Sequence, residues 1–234
     1  MNKKLLTGGV VAASVFMLSS GANAALSVWV SDGFNSTTIS EDATGRVNFH
    51  DDLSIFDPAA LFADWEVTIN AKGDAFYDLV NPDVNFDQMH YNSVDVSGGI
   101  SGGSLTIMFT ETDLQRGETS FTADYSATLG GESIQFESFI DAGNAAFALT
   151  TAVADSGVQG SSFSNTERGM IPLTGPYSWT TVATIVHGGA GDTTSFDYEV
   201  KVPEPSTVAM LGLGMLGFGI AARRKGKKAG GVAA

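Results

Sequence analysis

The sequence predicts a mainly β chain, an antiparallel β-sandwich of jelly-roll or immunoglobulin-like type, and three observations carry that prediction. Apolar and polar residues alternate with period two along most of the chain. Glycine pairs such as Gly98-Gly99, Gly102-Gly103, Gly130-Gly131 and Gly188-Gly189 punctuate the alternating runs. Helical periodicity is nearly absent. A half-buried strand shows one face to the core and one to water, so these runs read as strands and the glycines as their turns.

Taken in order, Leu26-Ser-Val28-Trp29-Val30 opens the domain and Ser31-Asp32-Gly33 turns it. Asp57-Pro58-Ala59-Ala60-Leu61-Phe62 predicts one helical turn, with Asp57 as cap and Pro58 at the first helical position. Trp65, Val67 and Ile69 alternate with Glu66, Thr68 and Asn70. Val94 and Val96 form a short run, and Leu105, Ile107 and Phe109 form the next. Phe121 to Ala127 leads through Gly130-Gly131 into Ile134 and Phe136. Asp141 to Ala154 reads as a short helix by its alanines and as a strand by the spacing of Phe147, Leu149 and Thr151. The stretch 154–176, rich in Gly, Ser, Asn and Pro, reads as a long surface loop. Val182 to Val186 and Phe196 to Val202 close the domain, making eight to ten strands in all. Trp29, Trp65 and Trp179 all lie in apolar alternating segments and are expected in the core.

Both ends carry addresses. Lys3 and Lys4, an apolar core from Leu5 to Leu18, and small residues ending in Ala22-Asn23-Ala24 predict a signal peptide over 1–24. A signal peptidase would cut between Ala24 and Ala25. The ectodomain is then 25–201. At the other end, Val202-Pro203-Glu204-Pro205 precedes 17 uncharged residues, 206–222, and a basic stop over 223–228. As a helix the run is roughly 25 Å long, short for a bilayer core of about 30 Å. Arg223, Arg224, Lys225, Lys227 and Lys228 hold that end in the cytoplasm by the positive-inside rule. Gly212, Gly214, Gly217 and Gly219 weaken the helix, so the span reads as a temporary stop in the inner membrane. Residues 229–234 read as a disordered end.

Charge narrows the partners. The ectodomain holds five cations against 25 acids, a net of −20 within a chain of net −14. Such a surface repels nucleic acid and anionic membranes, and suits neutral glycans or divalent cations. With no cysteine, the exported fold has no disulfide and rests on its core.

Catalytic signals are weak. His50-Asp51-Asp52 pairs a base with carboxylates, but no Gly-x-Ser-x-Gly elbow accompanies it and no His-x-x-x-His pair occurs. Glu111 with Asp113, or Glu137 with Asp141, would serve a glycosidase only at a separation of about 5–9.5 Å. No catalytic residue is assigned. Asn81, Asp83, Asn85 and Asp87 place oxygen side chains at alternate positions, as a calcium loop does. Phe86 and Asn92 occupy the positions where an EF-hand needs Gly and Glu, so calcium stays an alternative outside that motif, and no cofactor is otherwise expected. The threonine pairs follow no common period, which sets aside the regular array that ice binding would favour.

Pro203-Glu204-Pro205, the glycine-studded run Val208 to Ala222 and Arg223-Arg224-Lys225 together resemble the PEP-CTERM sorting signal of Gram-negative bacteria, a tail also labelled ice-binding protein C-terminal domain. The resemblance covers about 25 of 234 residues. It implies that an exosortase recognises the Pro-Glu-Pro segment, cleaves near it and delivers the protein to the cell surface or extracellular matrix. It further implies a structural or adhesive role associated with exopolysaccharide. A glycan-binding module, with or without calcium assistance, and a secreted hydrolase are the alternatives.

Overall fold

The computed structural model describes residues 25–51, 65–73, 86–98, 102–114, 119–171 and 175–203. They form twelve strands: β1 (Ala25–Ser31), β2 (Ser36–Ser40), β3 (Arg46–Asp51), β4 (Glu66–Lys72), β5 (Phe86–Ser97), β6 (Gly103–Leu114), β7 (Thr119–Leu129), β8 (Ser133–Asp141), β9 (Thr151–Asp155), β10 (Phe163–Ile171), β11 (Tyr177–His187) and β12 (Thr193–Pro203). Every pairing between these strands is antiparallel. Sheet A has the order β2-β1-β6-β11-β8-β9 and sheet B the order β10-β7-β12-β5-β4-β3.

The two sheets meet over one core. Leu26, Val28 and Val30 from β1, Leu105, Ile107 and Phe109 from β6, and Val67 and Ile69 from β4 are all fully buried. Aromatic rings bridge the sheets. Phe121 of sheet B meets Trp179 of sheet A edge-on at 5.0 Å, and Phe136 of sheet A meets Phe196 of sheet B at 5.2 Å. Each such side chain contributes roughly 1.5–3 kcal/mol by leaving water, which is what a domain without cysteine has to rely on. One hydrogen bond also crosses the seam, 2.7 Å between the hydroxyls of Ser138 and Tyr198, both buried.

Apart from the ambiguous stretch 141–154, the period-two runs became strands, while three readings changed. The stretch 154–176 is not a continuous loop, because β10 lies within it and pairs with β7 along its whole length. Its alternation is blurred by polar residues that point inward to a partner, notably Glu167, which accepts a hydrogen bond from Tyr125. Residues 142–150 form neither helix nor strand, and β9 starts only at Thr151. Trp65 and Trp179 are core residues, but Trp29 is half-buried on the outer face of sheet A, out of step with Val28 and Val30. At the end of the domain, β12 continues past Lys201 through Val202 and Pro203, which pair with Asp87 and Phe86 of β5.

Among the described residues no helix is long and apolar enough to cross a membrane. The signal segment 1–24, the helical turn at 57–62, the apolar run 206–222 and the basic stop all lie outside the described residues.

Candidate functional site

The outer face of sheet B concentrates polar chemistry in cross-strand rows. Antiparallel pairing puts directly opposed residues on the same face, so the register lists each row. The longest crosses all six strands: Thr166, Asp124, Glu199, His90, Lys72 and Arg46. Beside it run Ser164, Ser126 and Asp197. Another row holds Thr128, Ser195, Asp95, Thr68 and His50. Arg168, Thr122 and Lys201 form a further row. Arg46, Lys72, Arg168 and Lys201 are the cations among the described residues, and all four stand on this face.

Three shallow cavities join along it. The first, of 270 Å³, is lined by Asp124, Ser126, Thr166, Asp197, Glu199 and His90, among others. A second of 180 Å³ shares Ser126 and Asp197 with it, and a third of 230 Å³, reaching Arg46 and Lys72, shares His90. Together they make a trough with an acidic middle and a basic end.

Local hydrogen bonds set its walls. Lys201 Nζ lies 2.5 Å from Glu199 Oε2 and 3.6 Å from Asp124 Oδ2. The hydrogen bond to Glu199 raises the Lys201 pKa above its usual value, with the charges of Glu199 and Asp124 adding to it. Thr166 donates its hydroxyl proton to Asp124 Oδ1 at 2.5 Å. Ser195 donates to Asp95. Beneath the trough, Tyr125 donates to Glu167 and Asn165 Nδ2 donates back to the Tyr125 hydroxyl at 3.2 Å. Burial pushes the Tyr125 phenol far above its usual pKa, and Glu167 pushes it further.

The residues singled out in the sequence are scattered. His50 is exposed, with Nδ1 2.8 Å from the Thr68 hydroxyl across the strand pair. Asp51 alternates to the other face and Asp52 lies outside the described residues. Glu111 points into the core at 0% exposure, whereas Asp113 sits in a left-handed bend, its backbone N–H donating to Asn144 Oδ1 at 2.7 Å. They share no cleft. Glu137 and Asp141 are four residues apart on β8, about 13 Å of strand, too far for a glycosidase pair.

Of the calcium candidates, Asn81, Asp83 and Asn85 lie outside the described residues, and Asp87 is in β5. Among the described residues no three His, Cys, Asp or Glu side chains gather as a metal cluster. Ala22, Ala24, Glu204, Pro205 and the basic stop Arg223, Arg224, Lys225, Lys227 and Lys228 also lie outside the described residues, while Ala25 begins β1 and Val202-Pro203 end β12.

The trough itself was not legible in the sequence, because its residues come from six strands spread over 46–201. The only signal was their outward position in alternating runs.

The end of β12 is where comparison with known proteins becomes informative. Residues 201–225 match the family model of the PEP-CTERM protein-sorting motif. The chain carries a PEP-CTERM sorting domain. This motif marks proteins exported through the membrane and sorted to the cell surface or extracellular space, and it implies processing by an exosortase. No curated protein matches the chain.

Among solved structures, the chain is similar to the enzymatically active domain of tailspike protein 4 of bacteriophage CBA120. Identity is 16% over 58% of this chain and 19% of that one, with a TM-score of 0.32. TmCBM61 in complex with β-1,4-galactotriose is similar at 15% identity over 59% and 88% of the two chains, TM-score 0.29. The K1 cleaved adhesin domain of Lys-gingipain from Porphyromonas gingivalis W83 is similar at 14% over 72% and 99%, TM-score 0.30. The chain thus spans about a fifth of the tailspike chain. Likeness at this level carries no argument about activity.

Proposed function

We propose that this PEP-CTERM protein is a structural or adhesive component of the cell surface or extracellular matrix that holds exopolysaccharide in the trough of sheet B. The observation that carries the reading is the six-strand row from Thr166 to Arg46, with its joined cavities. A sugar polymer offers hydroxyls that both donate and accept. The trough answers with carboxylate acceptors in the middle, hydroxyls beside them and Lys72 and Arg46 donors at one end. A long open trough suits a polymer better than an enclosed small molecule.

The role is non-enzymatic in this reading. Asp124 and Glu199 are direct cross-strand neighbours, a spacing of about 5 Å that a retaining glycosidase also uses. Here both carboxylates are held in one ion-pair cluster with the Lys201 ammonium. The fold is of jelly-roll kind in this reading. Support comes from β5 to β8 and β11 to β12, where consecutive strands pass from one sheet to the other.

The test is binding of the exported protein to its host's own exopolysaccharide, with Asp124→Ala and Lys72→Ala as trough variants. Retention by the wild type, loss in the variants and no release of reducing ends is the expected result. Release of reducing ends would favour the hydrolase instead.

A further inference from the structure

We propose that the outer face of sheet A is a second binding surface, for an uncharged polysaccharide strand stacked on Trp29. It uses none of the residues of the sheet B trough and does not depend on that reading.

The register of β2, β1, β6 and β11 lays out a grid of three rows. The first is Ser36, Ser31, Thr106 and Thr184. The middle row is Thr38, Trp29, Met108 and Val182. The third is Ser40, Ser27, Thr110 and Thr180. Of these twelve positions nine are Ser or Thr, three are apolar and none is charged. In an ectodomain of net −20, four adjacent strands with no outward charge are a strong departure from the rest of the surface. On the β8 side the uncharged field ends at Glu137, the cross-strand neighbour of Val182; at the ends of the β1–β2 hairpin the neighbouring acids are tied to backbone. Asp32 Oδ1 accepts the N–H groups of Phe34 and Asn35 at 2.8 and 2.6 Å, and Glu41 Oε2 accepts that of Leu26 at 3.0 Å.

The chain closes one side of this face itself. Residues 142–150 cross the third row, where the Phe147 N–H donates to Thr110 Oγ1 at 3.2 Å and Ser178 Oγ donates to the Ala145 carbonyl at 2.7 Å. Thr110 and Thr180 are consequently buried, with 2.8 Å between their hydroxyls. In the first two rows Ser31 and Val182 are buried, while Ser36, Thr38, Thr106 and Thr184 keep exposure around the half-buried Trp29 and Met108. An indole rimmed by hydroxyls and free of charge fits the apolar face of a sugar ring, whose edge hydroxyls then reach Ser and Thr.

Size decides between a sugar strand and a second copy of the chain. Four strands at about 4.8 Å spacing and about five residues at 3.3 Å make a face of about 300 Å² at most. A stable protein interface takes roughly 800 Å² from each partner. A narrow polymer fits and a second ectodomain does not. With the trough on the opposite sheet, the protein then grips two polysaccharide strands and cross-links them.

Trp65 and Trp179 are buried at 3% and 0% exposure, so ligand-induced change in tryptophan emission reports on Trp29. The experiment titrates the exported protein with uncharged gluco-, manno-, galacto- and xylo-oligosaccharides, following emission and acrylamide quenching. Expected is saturable binding of at least one of them, changing less than about twofold from dilute buffer to about 0.5 M NaCl. By isothermal titration calorimetry, which does not need the reporting indole, Trp29→Ala should weaken binding about tenfold, and Trp29→Phe by less. Thr38→Glu, an exposed site where the fold is not at risk, should weaken it through a charge alone. Asp124→Ala should leave it intact. The proposal is overturned if no uncharged sugar gives a Trp29-dependent signal, if binding follows Asp124 instead, or if the wild type dimerises and Thr38→Glu makes it monomeric.

Discussion

Gly98 lies so close to His187 that a Cβ at position 98 would sit 2.2 Å from the imidazole Nδ1. On the other side, a Cβ at Gly131 would sit 2.3 Å from Cδ2, and the ring packs on Trp65 at 5.1 Å between centroids. His187 is thus slotted between the end of β5 and the β7–β8 turn, tying sheet A to sheet B. Gly98→Ala should therefore destabilise by about 1–3 kcal/mol, the range for forcing atoms into a packed core. Thermal melting checks this; an unchanged Tm would mean that the slot has room.

The same residue predicts acid sensitivity. His187 is 1% exposed, its Nε2 is 2.9 Å from the Thr194 hydroxyl and its Nδ1 is buried without a hydrogen-bond partner. Burial lowers its pKa from 6.5, and the nearby Asp192 charge only partly opposes that. A lowered folded value means that the unfolded chain takes the proton first. This stability is complete above about pH 6.5 and is lost as pH falls below it. His187→Gln keeps a polar group beside Thr194 without titrating, so the wild-type Tm minus the variant Tm should shrink from pH 8 to pH 5. A constant difference would contradict the assignment.

The seam between the sheets offers a third test. Tyr198 is 1% exposed, bonded to Ser138 at 2.7 Å, and burial pushes its phenol up to about 12. Tyr198→Phe should cost about 1–2 kcal/mol, since Ser138 keeps only a long contact of 3.4 Å to Thr181. Urea unfolding measures it.

How far the fold could be read in advance depended on where each residue's partner lies. Val67, Ile69, Leu105 and Ile107 announced strands because burial on one face imposes alternation that survives any sheet order. β10 did not, since it borders sheet B and points Glu167 and Asn165 inward to Tyr125. Trp29 looked like core because composition does not tell which face a lone aromatic takes; only its registers to Thr38 and Met108 do. The trough and the uncharged grid are properties of pairings between strands far apart in sequence. The tail differed, because its Pro-Glu-Pro, apolar and basic parts are contiguous and need no fold to be read.

Maturation is constrained by β12. Val202 and Pro203 still pair with β5, so a cut before Val202 would remove the last rungs of a central strand. Intact-mass analysis of the surface-released protein should place the mature C-terminus at or beyond Pro203. A terminus at Lys201 or earlier in a folded product would contradict this.

The central claim is that the outer face of sheet B holds exopolysaccharide at the cell surface. The most direct measurement is co-sedimentation of the exported protein with its host's purified exopolysaccharide, comparing wild type with the double variant Asp124→Ala and Lys72→Ala. The account predicts that the wild type sediments with the polymer while the folded double variant stays in solution. Equal sedimentation of the two, or of neither, would contradict it.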